Sequence, residues 1–86
     1  MGPKQIYQDV CLILDEIVHR RGTDSFHIGL TSDIKYLPKQ ISKLFVWFFN
    51  SGNEASAVFM ELHKKYGLEF NEDSIGQYLH VYESLH

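Results

Sequence analysis

The sequence predicts a single α+β domain in which a small three-stranded sheet packs with two main helices and one short helix. Two long segments repeat apolar residues at steps of three and four, as amphipathic helices do. Three shorter segments either alternate apolar and polar residues or are continuously apolar, which is typical of strands. The chain has 86 residues, 44% of them hydrophobic, which suffices for one compact core but not for two. We therefore predict one domain over residues 1–86.

The composition excludes several classes of protein. A net charge of −3 is unfavourable for a surface that binds polyanions generally. The single cysteine, Cys11, excludes an intrachain disulfide and a multi-cysteine zinc site, and its position on an apolar stripe predicts a buried, inert thiol. No apolar run approaches the ~18–20 residues that a membrane span requires, and no signal-peptide pattern opens the sequence. We expect a cytoplasmic protein with no membrane segment.

The first helix is predicted over residues 4–21. Pro3 suits the first helical turn, and Gly22 stands where a glycine commonly ends a helix. The spacing predicts that one face of this helix is buried against the rest of the domain. The residues of that face are Ile6, Val10, Ile13, Leu14, Ile17 and Val18.

Three strands are predicted, over residues 26–30, 45–49 and 77–82. The first alternates apolar residues with His27 and Gly29, which is the period of a half-buried strand. The second is a continuous run of five apolar residues, and such a run favours a buried strand at the centre of the sheet. The third places one set of side chains on one face and Leu79 and Val81 on the other. The first set is Tyr78, His80 and Tyr82.

A second helix is predicted between an N-cap at Asn53 and a terminal glycine at Gly67. Its inner stripe comprises Ala55, Val58, Phe59, Leu62 and Tyr66. The short helix is predicted to begin near Pro38, because a proline is tolerated in a first turn and not in a helix interior. Before it, the sequence Thr31-Ser32-Asp33 supplies side chains that cap a turn.

The segment His27-Ile28-Gly29-Leu30-Thr31-Ser32-Asp33 resembles the second half of the signature of GIY-YIG nucleases, in which a strand ending in Tyr-Ile-Gly leads into a turn and a helix. Residues 54–58 and 62–66 are similar to a later helix of that family. The resemblance covers residues 26–82 and implies a GIY-YIG-like fold with an extra N-terminal helix in place of the family's first strand.

The resemblance implies a nuclease site that this chain does not retain. His27 occupies the position of the tyrosine in Tyr-Ile-Gly, Leu37 that of the catalytic arginine, and Phe59 that of the metal-binding glutamate. Leucine and phenylalanine can neither offset phosphate charge nor hold Mg²⁺. We therefore expect no catalytic residues, no metal and no cofactor, and we regard the domain as a degenerate nuclease fold.

The leading functional interpretation is a protein-interaction or accessory module. Its candidate binding surface is His27, Tyr78, His80 and Tyr82, because tyrosine-rich patches are favoured at protein interfaces. A homodimer is the simplest form of such an interface. In the opposing interpretation the N-terminal helix covers this surface and makes it ordinary core.

The alternative function is a divergent metal-dependent nuclease or a nucleic-acid-binding domain that uses His27 with Lys35 and Lys39. Phosphate contacts depend on clustered lysine and arginine, and the eight basic residues are spread through the chain. We therefore expect nucleic-acid binding to be weak or absent.

Overall fold

In a computed structural model, which describes residues 2–22, 26–37, 43–67 and 76–83, the chain is an α+β domain, as predicted. The described ranges contain two helices, three strands and one 3₁₀ turn. In chain order these are α1 (Pro3–Arg21), β1 (Phe26–Thr31), the 3₁₀ turn (Ile34–Tyr36), β2 (Leu44–Phe48), α2 (Gly52–Tyr66) and β3 (Tyr78–Glu83).

The three strands form one antiparallel sheet in the order β1-β3-β2. The last strand of the chain is therefore the central one: Leu79 lies opposite Leu30 on one side and opposite Trp47 on the other. The prediction of a buried central strand over residues 45–49 is wrong, because β2 lies at the edge of the sheet and is partly exposed. Only Phe49, which follows β2, is fully buried.

Both ends of α1 agree with the sequence prediction. Pro3 occupies the first turn, and the backbone N–H of Gly22 donates to the carbonyl of Val18 at 2.8 Å. Gly22 has a φ of 96°, a conformation that glycine adopts without strain. Cys11 is buried, as predicted. The buried residues of α1 are Ile6, Val10, Cys11, Leu14 and Ile17.

The start of α2 differs from the prediction. The N-cap is Ser51 and not Asn53: the Ser51 hydroxyl accepts a hydrogen bond from the backbone N–H of Glu54 at 3.2 Å. Ser51 and Glu54 have the spacing of a capping box, and the helix begins two residues earlier than an Asn53 cap allows. The C-terminal prediction is correct, since Gly67 adopts the left-handed conformation with a φ of 65°.

The turn after β1 is capped by Asp33, whose carboxylate accepts from the N–H of Lys35 at 3.0 Å. The backbone N–H groups of Tyr36 and Leu37 donate to the carbonyls of Asp33 and Ile34, each at 3.1 Å, and form a 3₁₀ turn over Ile34–Tyr36. The short helix predicted to begin near Pro38 lies outside the described residues.

The hydrophobic core lies between the two helices and one face of the sheet. The central strand contributes Leu79 and Val81, both fully buried, and α2 contributes Leu62. The hydroxyl of Tyr66 on α2 donates to Asp15 on α1 at 2.5 Å and thereby ties the helices together. Burial raises the pKa of Tyr66, and the hydrogen bond to Asp15 adds to that shift.

Ion pairs attach the C-terminal end of α1 to the sheet. The guanidinium of Arg20 lies 2.6 Å from the carboxylate of Glu83, and that of Arg21 lies 3.3 Å from it. The hydrogen bond from Arg20 is the main reason why the pKa of Glu83 is lowered. Neither helix in the described part of the chain has the length and apolar character needed to cross a bilayer.

Candidate functional site

The strand register divides the sheet into two faces. One face, which carries Leu30, Leu79 and Val81, packs against the helices. The opposite face carries three residues from each strand, and we call it the open face because no helix that the structure describes packs against it. Its residues are His27, Gly29, Thr31, Leu44, Val46, Phe48, Tyr78, His80 and Tyr82.

The interpretation in which the N-terminal helix covers the open face is wrong. The buried residues of α1 belong to the core on the other side of the sheet, together with Leu79 and Val81. Arg20 reaches Glu83, which lies opposite Phe26 in the sheet and so belongs to the helix-covered face.

The open face brings together all four residues of the predicted binding surface. His27 lies opposite Tyr82 across β1 and β3, and their rings stack with 5.0 Å between centroids and 18° between planes. The His80 ring lies nearly parallel to that of Tyr82, at 6.3 Å and 8°. His27 is exposed, whereas Tyr78, His80 and Tyr82 are half-buried.

Strand β2 adds apolar residues to the open face that the sequence analysis did not include. Phe48 lies opposite Tyr78, and their ring centroids are 5.1 Å apart. Phe48 is 54% exposed and Val46 40% exposed. The sequence analysis missed them because it placed this apolar run at the sheet centre. The alternation within β1 and β3 was the sequence signal for the open face.

His80 occupies the centre of the open face, between Gly29 on β1 and Val46 on β2. Its Nδ1 atom is buried and has no hydrogen-bond partner among the described residues. Burial lowers the pKa of His80, and the neighbouring His27 lowers it further. The neutral imidazole of His80 is therefore favoured, and the open face has no lysine, arginine, aspartate or glutamate.

The residues of the alternative nucleic-acid site are not gathered in the same way. Lys35 is exposed, and its ammonium pairs with the carboxylate of Asp33 at 3.6 Å. That ammonium also lies 5.3 Å from the centre of the Tyr36 ring. Lys39 lies outside the described residues.

The two positions that the nuclease resemblance makes critical carry side chains without catalytic chemistry. Phe59 is 3% exposed and belongs to the core, as the helical spacing predicts. Leu37 is half-buried and follows the 3₁₀ turn. Across the described ranges, no three histidine, cysteine, aspartate or glutamate side chains are grouped closely enough to hold a metal ion.

Comparison of the chain with known protein families, with curated proteins and with solved structures finds no match. The functional argument therefore depends on the geometry of the open face.

Proposed function

We propose that this chain is a non-catalytic, GIY-YIG-like domain that acts as a protein-interaction module, with the open face of its sheet as the docking surface. One observation carries the proposal: the rings of His27, Tyr78 and Tyr82 lie on the same face of the sheet as Val46 and Phe48, and that face has no lysine, arginine, aspartate or glutamate. Two of its members, Val46 and Phe48, are large apolar residues with much of their surface exposed.

The chemistry of the open face favours a protein partner over a nucleic acid. Tyrosine and phenylalanine bury large areas at little cost in conformational entropy, and a tyrosine hydroxyl remains available for a hydrogen bond. A phosphate backbone requires several lysine or arginine contacts, and the open face supplies none. The partner that fits is a protein surface with its own apolar centre and few charges.

The environment of Phe59 supports the proposal that the domain is non-catalytic. A glutamate at this position would place an unpaired carboxylate in the core, where the desolvation of its charged form is very unfavourable. The phenylalanine instead packs with the rest of the hydrophobic core.

The proposal is tested by matched glutamate substitutions. His27→Glu places a charge on the open face at an exposed position, and Tyr36→Glu places the same charge at a residue that is 68% exposed and lies off that face. Proteins bound by the wild-type domain are quantified by affinity capture and mass spectrometry. We expect His27→Glu to lower the affinity for the partner by more than about tenfold, which corresponds to about 1.4 kcal/mol of binding free energy. Tyr36→Glu should retain the wild-type affinity. Equal retention by both variants contradicts the proposal.

The alternative function is tested by fluorescence anisotropy with duplex, branched and single-stranded DNA at low salt with Mg²⁺, and products are resolved on a gel. The proposal predicts neither submicromolar binding nor cleavage. Submicromolar binding that weakens with salt and is lost in Lys35→Glu would establish the nucleic-acid function instead.

A further inference from the structure

We propose that the outer edge of β2 pairs with the same edge of a second copy of this chain, so that two three-stranded sheets join into one six-stranded sheet. This inference concerns the edge of the sheet; it shares Val46 and Phe48 with the open face but does not rest on the function proposed for that face.

The outer edge of β2 presents unpaired backbone groups. β2 pairs with β3 on one side, and no residue that the structure describes pairs with it on the other. Just beyond the strand, the N–H of Phe49 donates to the carbonyl of Gln77 at 2.8 Å. Successive residues of an antiparallel ladder direct their backbone groups to alternate sides. The odd-numbered residues of β2 therefore bond to β3, and the N–H and C=O groups of Leu44, Val46 and Phe48 point outward.

These outward groups are spaced so that the strand complements itself. In an antiparallel pair of two β2 strands related by a two-fold axis at Val46, each Val46 faces its counterpart and each Leu44 faces Phe48 of the second copy. All three outward residues then donate and accept once, which satisfies six backbone hydrogen bonds. On the helix-covered side of the sheet the same register sets Phe45 against Trp47 of the second copy, a cross-strand aromatic pair of a kind that stabilises sheets.

Residues 44–48 of β2 include no charged residue, no proline and no bulge. Natural edge strands avoid further pairing by means of charged residues, proline or bulges, whereas β2 reads Leu44-Phe45-Val46-Trp47-Phe48 and is regularly paired to β3. An identical strand therefore meets no like charge at any position of the proposed register.

An apolar groove continues this edge toward α1. It has a volume of about 360 Å³ and is lined by Asp9, Leu12 and Ile13 of α1 and by residues 45–47 of β2. Leu12 is 70% exposed, which is unusual for a leucine, and Phe45 is 36% exposed. Val46 and Phe48 lie at the same edge but on the open face, so these four residues form an edge patch that spans both faces of the sheet and exposes on the order of 400 Å² in total.

The size of the patch predicts a weak dimer. Stable interfaces bury about 800 Å² on each partner, and weak ones bury less than about 600 Å². The patch and the adjoining strand backbone fall within the weaker class. We therefore expect a dissociation constant on the order of 100 μM, with dimer populated at tens to hundreds of micromolar chain.

The test uses opposite charges at the two-fold axis. In the proposed register residue 46 faces its own counterpart, with the two Cα atoms about 5.5 Å apart. Val46→Lys and Val46→Asp therefore each place like charges opposite one another and should weaken the homodimer by more than about tenfold. An equimolar mixture of the two variants pairs opposite charges and should restore the dimer. Sedimentation velocity from about 1 to 500 μM chain is measured for the wild type, the two variants and their mixture. Circular dichroism confirms that each variant is folded.

Leu12→Glu provides a second test. Leu12 lies at an exposed position of α1 and is not part of the hydrophobic core. The substitution charges the groove and should also weaken the dimer. A wild-type chain that stays monomeric at 500 μM overturns the proposal, as does a dimer that persists in all three single variants. His27 lies on β1, which β3 separates from β2, so His27→Glu should leave the dimer intact. Failure of the open-face proposal can therefore be distinguished from failure of this one.

Discussion

The imidazole of His27 on β1 stacks on the phenol ring of Tyr82 on β3, with 5.0 Å between the ring centroids. Tyr82 in turn lies parallel to the ring of His80, two residues earlier on the same strand. Three rings thus form an ordered row across two strands. The pKa of the inner imidazole, that of His80, is lowered mainly by burial, and its protonation would place a charge within the open face.

The stability of the domain should fall as the pH is lowered through the range in which His80 titrates. Burial and the neighbouring His27 lower the pKa of His80 in the folded state below the ordinary value of 6.5. Between these two values the unfolded chain binds more protons than the folded one, so the free energy of unfolding decreases as the pH falls below about 6.5. Urea unfolding at closely spaced pH values measures this slope.

His80→Gln should remove the His80 contribution to that slope. Identical slopes in wild type and His80→Gln would show that His80 does not carry the effect.

Gly76→Ala should destabilise the domain strongly. A Cβ atom at this position would lie 2.1 Å from the carbonyl carbon and oxygen of Thr31, and Gly76 has a φ of 139°. Backbone strain of this kind alone costs about 1–3 kcal/mol, and the clash with the end of β1 adds to it. Gly52→Ala is the control, because a Cβ there meets nothing within 4 Å. Thermal unfolding of both variants should separate them by more than about 5 °C.

Phe48 and Phe49 should differ sharply although they are neighbours in the sequence. Phe49 is 1% exposed and Phe48 54% exposed. Phe49→Ala leaves a cavity in the core and should cost about 3–5 kcal/mol. Phe48→Ala loses mainly its ring contact with Tyr78 and should cost about 1 kcal/mol. Chemical denaturation at low micromolar concentration, where the dimer is not populated, provides the comparison; equal losses would contradict the edge assignment of β2.

Ser51→Ala should cost about 1 kcal/mol, because it removes the hydroxyl that accepts from the N–H of Glu54. Asn53→Ala tests the cap predicted from the sequence. Asn53 lies inside α2 and is exposed, so replacement by alanine should be neutral or slightly stabilising. Urea unfolding of both variants distinguishes the two assignments, and a larger loss for Asn53→Ala would reverse the conclusion.

Local signals in the sequence predicted both helices well. The three- and four-residue spacing identified the buried stripes that the structure contains, and Gly22 and Gly67 end their helices as expected. The cap of α2 was misplaced because Ser51 and Asn53 are both good N-cap residues. Local preference does not separate two such candidates two positions apart; the choice depends on where the chain leaves β2 and on the hydrogen bond from the Glu54 N–H to the Ser51 hydroxyl.

Only part of the open face could be predicted from the sequence, and the reason is physical. β3 alternates two fully buried residues with tyrosine and histidine, so period-two spacing alone assigned Tyr78, His80 and Tyr82 to one side. β2 gave no such signal, because an apolar run of five reads the same at the centre of a sheet and at its edge. Val46 and Phe48 were therefore placed in the interior, although both are exposed.

The sequence by itself determined the composition of the domain, its helices and the two-sided character of its last strand, because these depend on spacing and on end residues within short segments. Only the tertiary structure decided that the last strand lies between the first two and that β2 is left at the edge with Leu12 nearby. The pairing of strands depends on contacts between residues far apart in the chain, such as Leu79 with both Leu30 and Trp47. No local pattern encodes that choice, and both proposed surfaces depend on it.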